Sequence, residues 1–138
     1  MSGDDIPLPG ESADQVTIQM PAEGAYLSVL RTATAGLAAR LDFTLDEIED
    51  LRIAVDEACG MLLAQAVPGA SLECDFTLGE DRIAIAVSTL AQQPQPPARD
   101  TFAWTVLSAL AGNADAWVGP DDKVTVLLRK VRDASRSA

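Results

Sequence analysis

The order of hydrophobic patterns along the chain determines its expected fold class. Alternating apolar and polar residues indicate strands, and apolar residues three and four positions apart indicate helices. The patterns follow one another as strand, helix, helix, strand, strand, helix, strand, strand. This order predicts an α/β (α+β) two-layer sandwich, with helices on a mixed, mostly antiparallel sheet. The predicted strands are residues 15–20, 71–77, 82–88, 114–118 and 123–131, and the predicted helices are residues 22–41, about 45–66 and 101–113.

The domain organisation follows from length and local composition. A chain of 138 residues fits one domain with one hydrophobic core. Residues 1–14 are rich in Pro, Gly, Ser and acidic residues, which predicts a disordered segment. We expect residues 15–132 to form the domain and residues 133–138 to form a loose tail. The prolines of residues 91–100 (AQQPQPPARD) predict an extended linker within the domain.

A capping-box pattern marks the start of the second helix. In Thr44-Leu-Asp-Glu47, the Thr44 side chain can cap the helix and the Glu47 side chain can reach back to the Thr44 backbone. Acidic residues are crowded into residues 46–50, where the helix dipole favours negative charge. They could supply oxygen ligands to a metal ion. Their position at a helix start explains them better, and we expect no metal site.

The charged and reactive residues exclude several classes of function. A net charge of −11 argues against nucleic acid as the main partner and permits a partner with a basic surface. The chain has no His, which excludes a His-containing zinc site and a His general base. We expect Cys59 and Cys74 to be buried and reduced. The acidic first residues do not resemble a secretory signal and no apolar run could span a bilayer, so the expected location is the cytoplasm, without a membrane.

The chain lacks the usual nucleotide-binding loops. No G-x-G or Walker pattern occurs among its nine glycines, which argues against nucleotide binding through a glycine loop. In LRIAVDEACGMLLA, residues 51–64, Glu57 lies off the apolar stripe and has no charged neighbour three or four positions away. Periodicity alone favours an exposed Glu57. The alternative is partial desolvation by apolar neighbours, which would raise its pKa and prepare a general base.

The segment from Pro21 to Val67 resembles the first half of the RsbW-type anti-sigma factors. These are serine kinases of the GHKL ATPase superfamily, and the actinobacterial UsfX proteins are close relatives. The stretch DEIEDLRIAVDEAC carries the most specific likeness, which continues more weakly through RIAIAVS and TFAWTVLSALAGNADAWV. The resemblance implies the Bergerat two-layer fold. It also implies binding to a sigma factor, with a STAS-domain anti-anti-sigma factor as the competitor that active family kinases phosphorylate.

The resemblance also implies a degenerate ATP site. Glu57 matches the family's base, but Met61 stands where the family has the Asn that holds magnesium, and a thioether cannot replace a hard oxygen ligand. Thr89 stands at the position of the Asp that reads adenine, and Ala91 near the following glycine. Residues 101–104 (TFAW) replace the glycine-rich lid, and the preceding residues 92–100 are where lid residues would be expected. We therefore expect no catalytic residue and no cofactor, with Glu57 remaining as a partner contact or a relic.

The protein-binding surface is the part that the resemblance implies is retained. Arg31 aligns with a family Arg on the first helix that contacts both the sigma factor and its competitor. Leu27 and Thr34 lie four and three residues away and are expected on the same face. Phe102 and Trp104 are expected to be core or dimer residues, with an exposed aromatic binding spot as the alternative. A homodimer is possible, since family members commonly dimerise.

The sequence thus predicts an anti-sigma factor that sequesters an alternative, SigB/SigF-type sigma factor of a stress response. Competition from a STAS-domain protein would release the sigma factor without kinase activity. One alternative is an active serine kinase that uses ATP and magnesium, with Glu57 as base. Another is a scaffold for a different regulator.

Overall fold

The computed structural model describes residues 14–133. The expected disordered segment and tail therefore lie outside the described residues, except for Asp14 and Asp133. Asp14 is the first described residue and lies in the first strand. The order of elements is as predicted. The elements are β1 Asp14–Pro21, α1 Leu27–Arg40, α2 Leu45–Leu63, β2 Ser71–Leu78, β3 Arg82–Leu90, α3 Phe102–Ala111, β4 Asn113–Val118 and β5 Lys123–Val131.

Five strands form one sheet in the order β1-β2-β3-β5-β4. Every neighbouring pair is antiparallel, so the expectation of a mixed sheet is wrong for this part of the chain. The reason lies in the connection through α3. This connection makes β4 run parallel to β3, but β5 returns between them and pairs antiparallel with both. The two-layer α/β sandwich itself is confirmed, and it is consistent with a GHKL-like fold.

The core lies between the helices and one face of the sheet. Helix α2 packs against both α1 and α3 and also contacts β3 and β5. Alternate residues of the strands point toward the helices, as the two-residue repeat of a strand requires. Fully buried residues of α2 meet fully buried residues of β2, β3 and β5 in this layer; they include Leu51, Val55 and Leu62 on the helix and Phe76, Ile85, Val87 and Leu128 on the sheet.

Two helix ends differ from prediction, one because of a local 3-10 turn and the other because of a tertiary hydrogen bond. Helix α1 starts only at Leu27, since Gly24–Tyr26 form a 3-10 turn before it. Helix α2 ends at Leu63 rather than near Ala66. The backbone of Val67 instead donates to the Leu90 carbonyl at 2.9 Å, which draws the chain out of the helix toward the end of β3.

The predicted capping box is present at the start of α2. Thr44 Oγ1 accepts a hydrogen bond from the Glu47 backbone at 3.1 Å. The Thr44 backbone donates to Glu47 Oε1 at 2.8 Å. Glu47 Oε2 also accepts from the backbone of Asp133 at 3.1 Å, so the same carboxylate ties the start of α2 to the chain beyond β5.

None of the helices within residues 14–133 is both long enough and apolar enough to cross a membrane.

Thr44→Ala should lower the free energy of unfolding by about 1 kcal/mol, because the Glu47 backbone N–H loses its acceptor. Urea unfolding followed by circular dichroism measures this change. Thr32→Ala is the matched control, since Thr32 is exposed on α1 and makes no side-chain hydrogen bond within residues 14–133. Equal stability of the two variants would contradict the assigned role of the cap.

Candidate functional site

An ion pair joins α1 to α2 at the predicted partner-binding position. Arg31 Nε donates to both carboxylate oxygens of Asp56, at 2.8 Å to Oδ1 and 2.9 Å to Oδ2. The two side chains are 40% and 37% exposed. The terminal amino groups of Arg31 donate to no residue among 14–133. Arg31 is therefore accessible and held in place, while a contact role for it stays a prediction.

The two residues expected beside Arg31 lie in different environments. Leu27 is half-buried and packs against the core. Thr34 is 0% exposed, and its hydroxyl donates to the Leu30 carbonyl at 2.7 Å. The prediction that Thr34 contacts a partner is therefore wrong. Leu30, Thr34 and Ala38 follow one another at four-residue spacing and form the buried face of α1.

The solvent-facing side of α1 consists mostly of small residues. It contains no acidic residue, although the whole chain has 21. The basic residues of the helix are Arg31 in its middle and Arg40 at its end. This face can thus accept a partner's acidic group without repulsion from the helix itself. Its exposed residues are Ser28, Val29, Thr32, Gly36, Ala39 and Arg40.

The sequence analysis missed Asp56 because it considered charge pairs only between residues of the same helix. Asp56 of α2 pairs instead with Arg31 of α1. Consecutive helical residues point about 100° apart, so Asp56 and Glu57 lie on opposite flanks of the exposed side of α2. Asp56 faces α1 and pairs with Arg31. Glu57 is half-buried and forms no hydrogen bond or ion pair within residues 14–133. A search for acidic partners of Arg31 on the neighbouring helix could have found Asp56.

The positions aligned with the family's nucleotide-binding residues are occupied by other interactions. Met61 is partly buried and packs against the core. Thr89 is buried, and its hydroxyl donates to the Ser71 carbonyl at 2.8 Å. Ala91 is also buried, and its backbone donates to the Asp122 carbonyl at 3.0 Å. Among residues 14–133, no three Cys, Asp or Glu side chains lie close enough to hold a metal ion.

The segment aligned just before the lid is anchored at both ends. It forms the predicted linker without helix or strand between Ala91 and α3. The side-chain amide of Gln65 donates to the Gln95 carbonyl at 2.9 Å and accepts from the Gln95 backbone at 3.1 Å. At the other end, Arg99 Nη2 donates to Asp115 Oδ1 at 2.6 Å. The Arg99 guanidinium also lies over the Trp104 ring, 4.8 Å from its centre.

The two aromatic residues of α3 have different roles. Trp104 is 7% exposed and belongs to the core, as expected. Phe102 is 83% exposed, so its expected place in the core is wrong. Thr101 caps the Trp104 backbone and starts the helix so that Trp104, Leu107 and Ala111 face inward. A dimer contact or an exposed aromatic binding spot at Phe102 remains a prediction.

Comparison with known proteins shows what the chain is similar to. No protein-family model matches the chain. The chain is 29% identical over 119 residues to the anti-sigma-F factor RsbW of Mycobacterium tuberculosis, which covers 85% of this chain and 71% of that protein. It is 35% identical over 80 residues to the serine-protein kinase RsbW of Bacillus subtilis, covering 56% and 50%. For the serine-protein kinase RsbW of Halalkalibacterium halodurans the identity is 36% over 80 residues, covering 57% and 49%.

The chain is RsbW-like. Its match spans about half the length of these two kinases and a larger part of the mycobacterial protein. The names of these relatives describe an anti-sigma factor in one case and serine-protein kinases in the other two.

The buried thiols of this RsbW-like chain should make its stability fall at alkaline pH. Burial raises the pKa of the Cys59 thiol to about 12, with Asp56 adding to the rise, and burial also raises the pKa of the Cys74 thiol. Folding therefore keeps both thiols protonated, while the unfolded chain ionises them above about pH 8.5. Above that pH the unfolded state binds fewer protons, so the free energy of unfolding decreases as pH rises.

The expected slope is up to about 1.4 kcal/mol per pH unit for each thiol between pH 9 and 10.5. Urea unfolding at several pH values measures it. The double variant Cys59→Ala, Cys74→Ala should show a flatter dependence whatever its absolute stability. An unchanged slope in the double variant would show that other groups cause the pH dependence.

Proposed function

We propose that this RsbW-like chain is an anti-sigma factor acting by partner switching. It would bind an alternative, SigB/SigF-type sigma factor of a stress response and give it up to a STAS-domain anti-anti-sigma factor that competes for the same surface. The observation that carries the proposal is the likeness to an anti-sigma-F factor over 85% of the chain. The accessible Arg31 supports it, because the resemblance aligns this residue with a partner-contacting Arg.

The charge distribution favours docking on α1. The chain has a net charge of −11, and long-range attraction would draw the basic DNA-binding faces of a sigma factor toward it. Helix α1 differs from the rest of the chain because it lacks acidic residues. A partner can therefore place an acidic or carbonyl acceptor against Arg31 while its basic regions meet the acidic surface elsewhere. Arg is also enriched among residues that anchor interfaces.

The site residues do not fit a magnesium-bound nucleotide. Met61 offers a magnesium ion no oxygen ligand. Thr89 is 1% exposed and its hydroxyl donates to the Ser71 carbonyl of β2, so it is shielded from the ligand whose amino group an adenine-reading residue must contact. The linker before α3 makes hydrogen bonds with Gln65 and, through Arg99, with Asp115, and a phosphate lid that closes and opens would have to break such contacts. These contacts support an anti-sigma factor that works without ATP and without kinase activity.

A second candidate function is an active serine kinase. Its support is the name of the Bacillus subtilis relative and the environment of Glu57, which is half-buried and forms no ion pair within residues 14–133. A general base needs such an available carboxylate. Phosphoryl transfer also needs charge neutralisation by a metal ion or by cationic groups, and Met61 removes the family's metal ligand. The kinase is therefore the less supported candidate.

Arg31→Glu should weaken binding to the purified SigF-type sigma factor of the same genome at least about tenfold, because it places a carboxylate beside Asp56 and removes the donor. Biolayer interferometry measures the Kd. Arg40→Glu is the control, since it makes the same charge change at the end of the same helix. Equal effects of the two variants would attribute the loss to net charge rather than to Arg31.

ATP should show no binding with a Kd below about 100 µM in calorimetry, and no radiolabel should pass from ATP to the STAS-domain protein. The serine-protein kinase of Bacillus subtilis with its own substrate is the positive control. Label transfer that disappears in Glu57→Ala would establish the kinase instead. Absence of both sigma-factor and STAS-protein binding would favour a scaffold for another regulator.

A further inference from the structure

We propose that Asp56 is the positioning residue of the partner-binding site. It holds the Arg31 guanidinium by its Nε edge and leaves the two terminal amino groups directed outward, toward a carboxylate on the partner. The inference rests on the proposed function, since it assumes that Arg31 meets a protein partner. It adds a residue on α2 to a surface otherwise described on α1 alone.

The hydrogen-bond geometry supports the assignment of Nε to Asp56 and of the terminal amino groups to the partner. Both oxygens of Asp56 lie within 2.9 Å of one atom, Arg31 Nε. An arginine carries five N–H donors, and Nε supplies only one of them. The four donors on the terminal nitrogens reach no acceptor among residues 14–133. Two parallel N–H groups on one edge match the two oxygens of a carboxylate, which makes an Asp or Glu the preferred partner group.

Helix α1 contains no carboxylate that could pair with Arg31, and Asp56 of α2 provides one. Helix α1 has no acidic residue, and the positions three and four residues from Arg31 hold Leu27, Ser28, Thr34 and Ala35. Without Asp56 the long side chain would sample many rotamers in solution. Binding would then have to immobilise it, and that entropic cost reduces affinity. The ion pair removes much of this cost before the partner arrives.

A purely structural role for the ion pair makes a different prediction. Pairs this exposed contribute little to folding stability, because water screens them. If Asp56 only joined α1 to α2, its removal would leave partner affinity nearly unchanged in a folded chain. If it positions Arg31, its removal weakens partner binding only when Arg31 is present. The two roles therefore differ in whether the effect of removing Asp56 on partner affinity depends on the presence of Arg31.

The first measurement uses the free chain and needs no partner. In ¹H–¹⁵N spectra, the Nε–H of Arg31 should exchange slowly with water, and Asp56→Ala should accelerate this exchange at least about fivefold. Arg31→Lys assigns the signal. Glu49→Ala is the matched control, since it removes the carboxylate that pairs with Arg52 on the exposed side of α2. Unchanged exchange in Asp56→Ala would overturn the proposed positioning.

The second measurement is a double-mutant cycle with the purified SigF-type sigma factor. Asp56→Ala should raise the Kd about five- to tenfold, and Arg31→Ala with Asp56→Ala should bind no worse than Arg31→Ala alone. Asp56→Asn, which keeps the shape and an acceptor oxygen, should lie between wild type and Asp56→Ala. This variant also serves if the alanine variant does not fold.

The outcomes separate this inference from the proposed function. Loss of affinity in Arg31→Ala with none in either Asp56 variant would overturn the positioning role and leave the anti-sigma proposal intact. Tighter binding in Asp56→Ala would also overturn it, because Asp56 would then compete with the partner for Arg31. No loss of affinity in Arg31→Ala would remove the assumed contact itself. Additive losses from the two single variants would show that Asp56 acts independently of Arg31.

Discussion

The rotation of α2 about its own axis determines where the candidate residues of this helix point. Its fully buried side faces the sheet and the two other helices, and Leu51, Val55 and Leu62 occupy it without exposure to solvent. Turning the helix would expose these side chains at a cost of about 2 kcal/mol each. That packing directs Asp56 toward α1 and Glu57 to the opposite flank. Two adjacent carboxylates therefore have unrelated roles, one paired with Arg31 and the other without an ionic partner in residues 14–133.

Local patterns were sufficient to predict most of the fold. Alternating strands, the capping box of Thr44 and Glu47, and the proline-rich linker depend on short stretches of chain, and each occurs where predicted. The errors arose where distant contacts decide. The hydrogen bond from the Val67 backbone to the Leu90 carbonyl ends α2 early. The position of β5 between β3 and β4 makes every neighbouring pair of strands antiparallel. These contacts join segments that no local pattern compares.

The candidate site was predicted less completely, for the same reason. Arg31 lies at an accessible position, as its alignment implied, but its ion pair with Asp56 spans 25 residues and two helices. Thr34 was placed by sequence distance from Arg31, although three residues along a helix can separate a half-exposed position from a buried one. Phe102 was expected in the core or at a dimer contact, whereas Trp104, Leu107 and Ala111 are the residues of α3 that face inward. Site chemistry depends on side-chain direction, which needs the packed structure.

The linker before α3 is held by contacts within the chain. The Gln65 amide forms two hydrogen bonds with the Gln95 backbone, as a neighbouring strand would, and Arg99 combines a carboxylate contact with stacking on Trp104. A lid that closes over phosphates needs open and closed states of similar free energy. Each contact that fixes this segment favours one state and makes closure around a ligand costlier. Under the proposed function Arg31 has the opposite requirement, since a partner would bind it more tightly when one orientation dominates. The linker contacts would then disfavour a nucleotide lid near the end of α2, and the Arg31–Asp56 pair would favour protein recognition beside its middle.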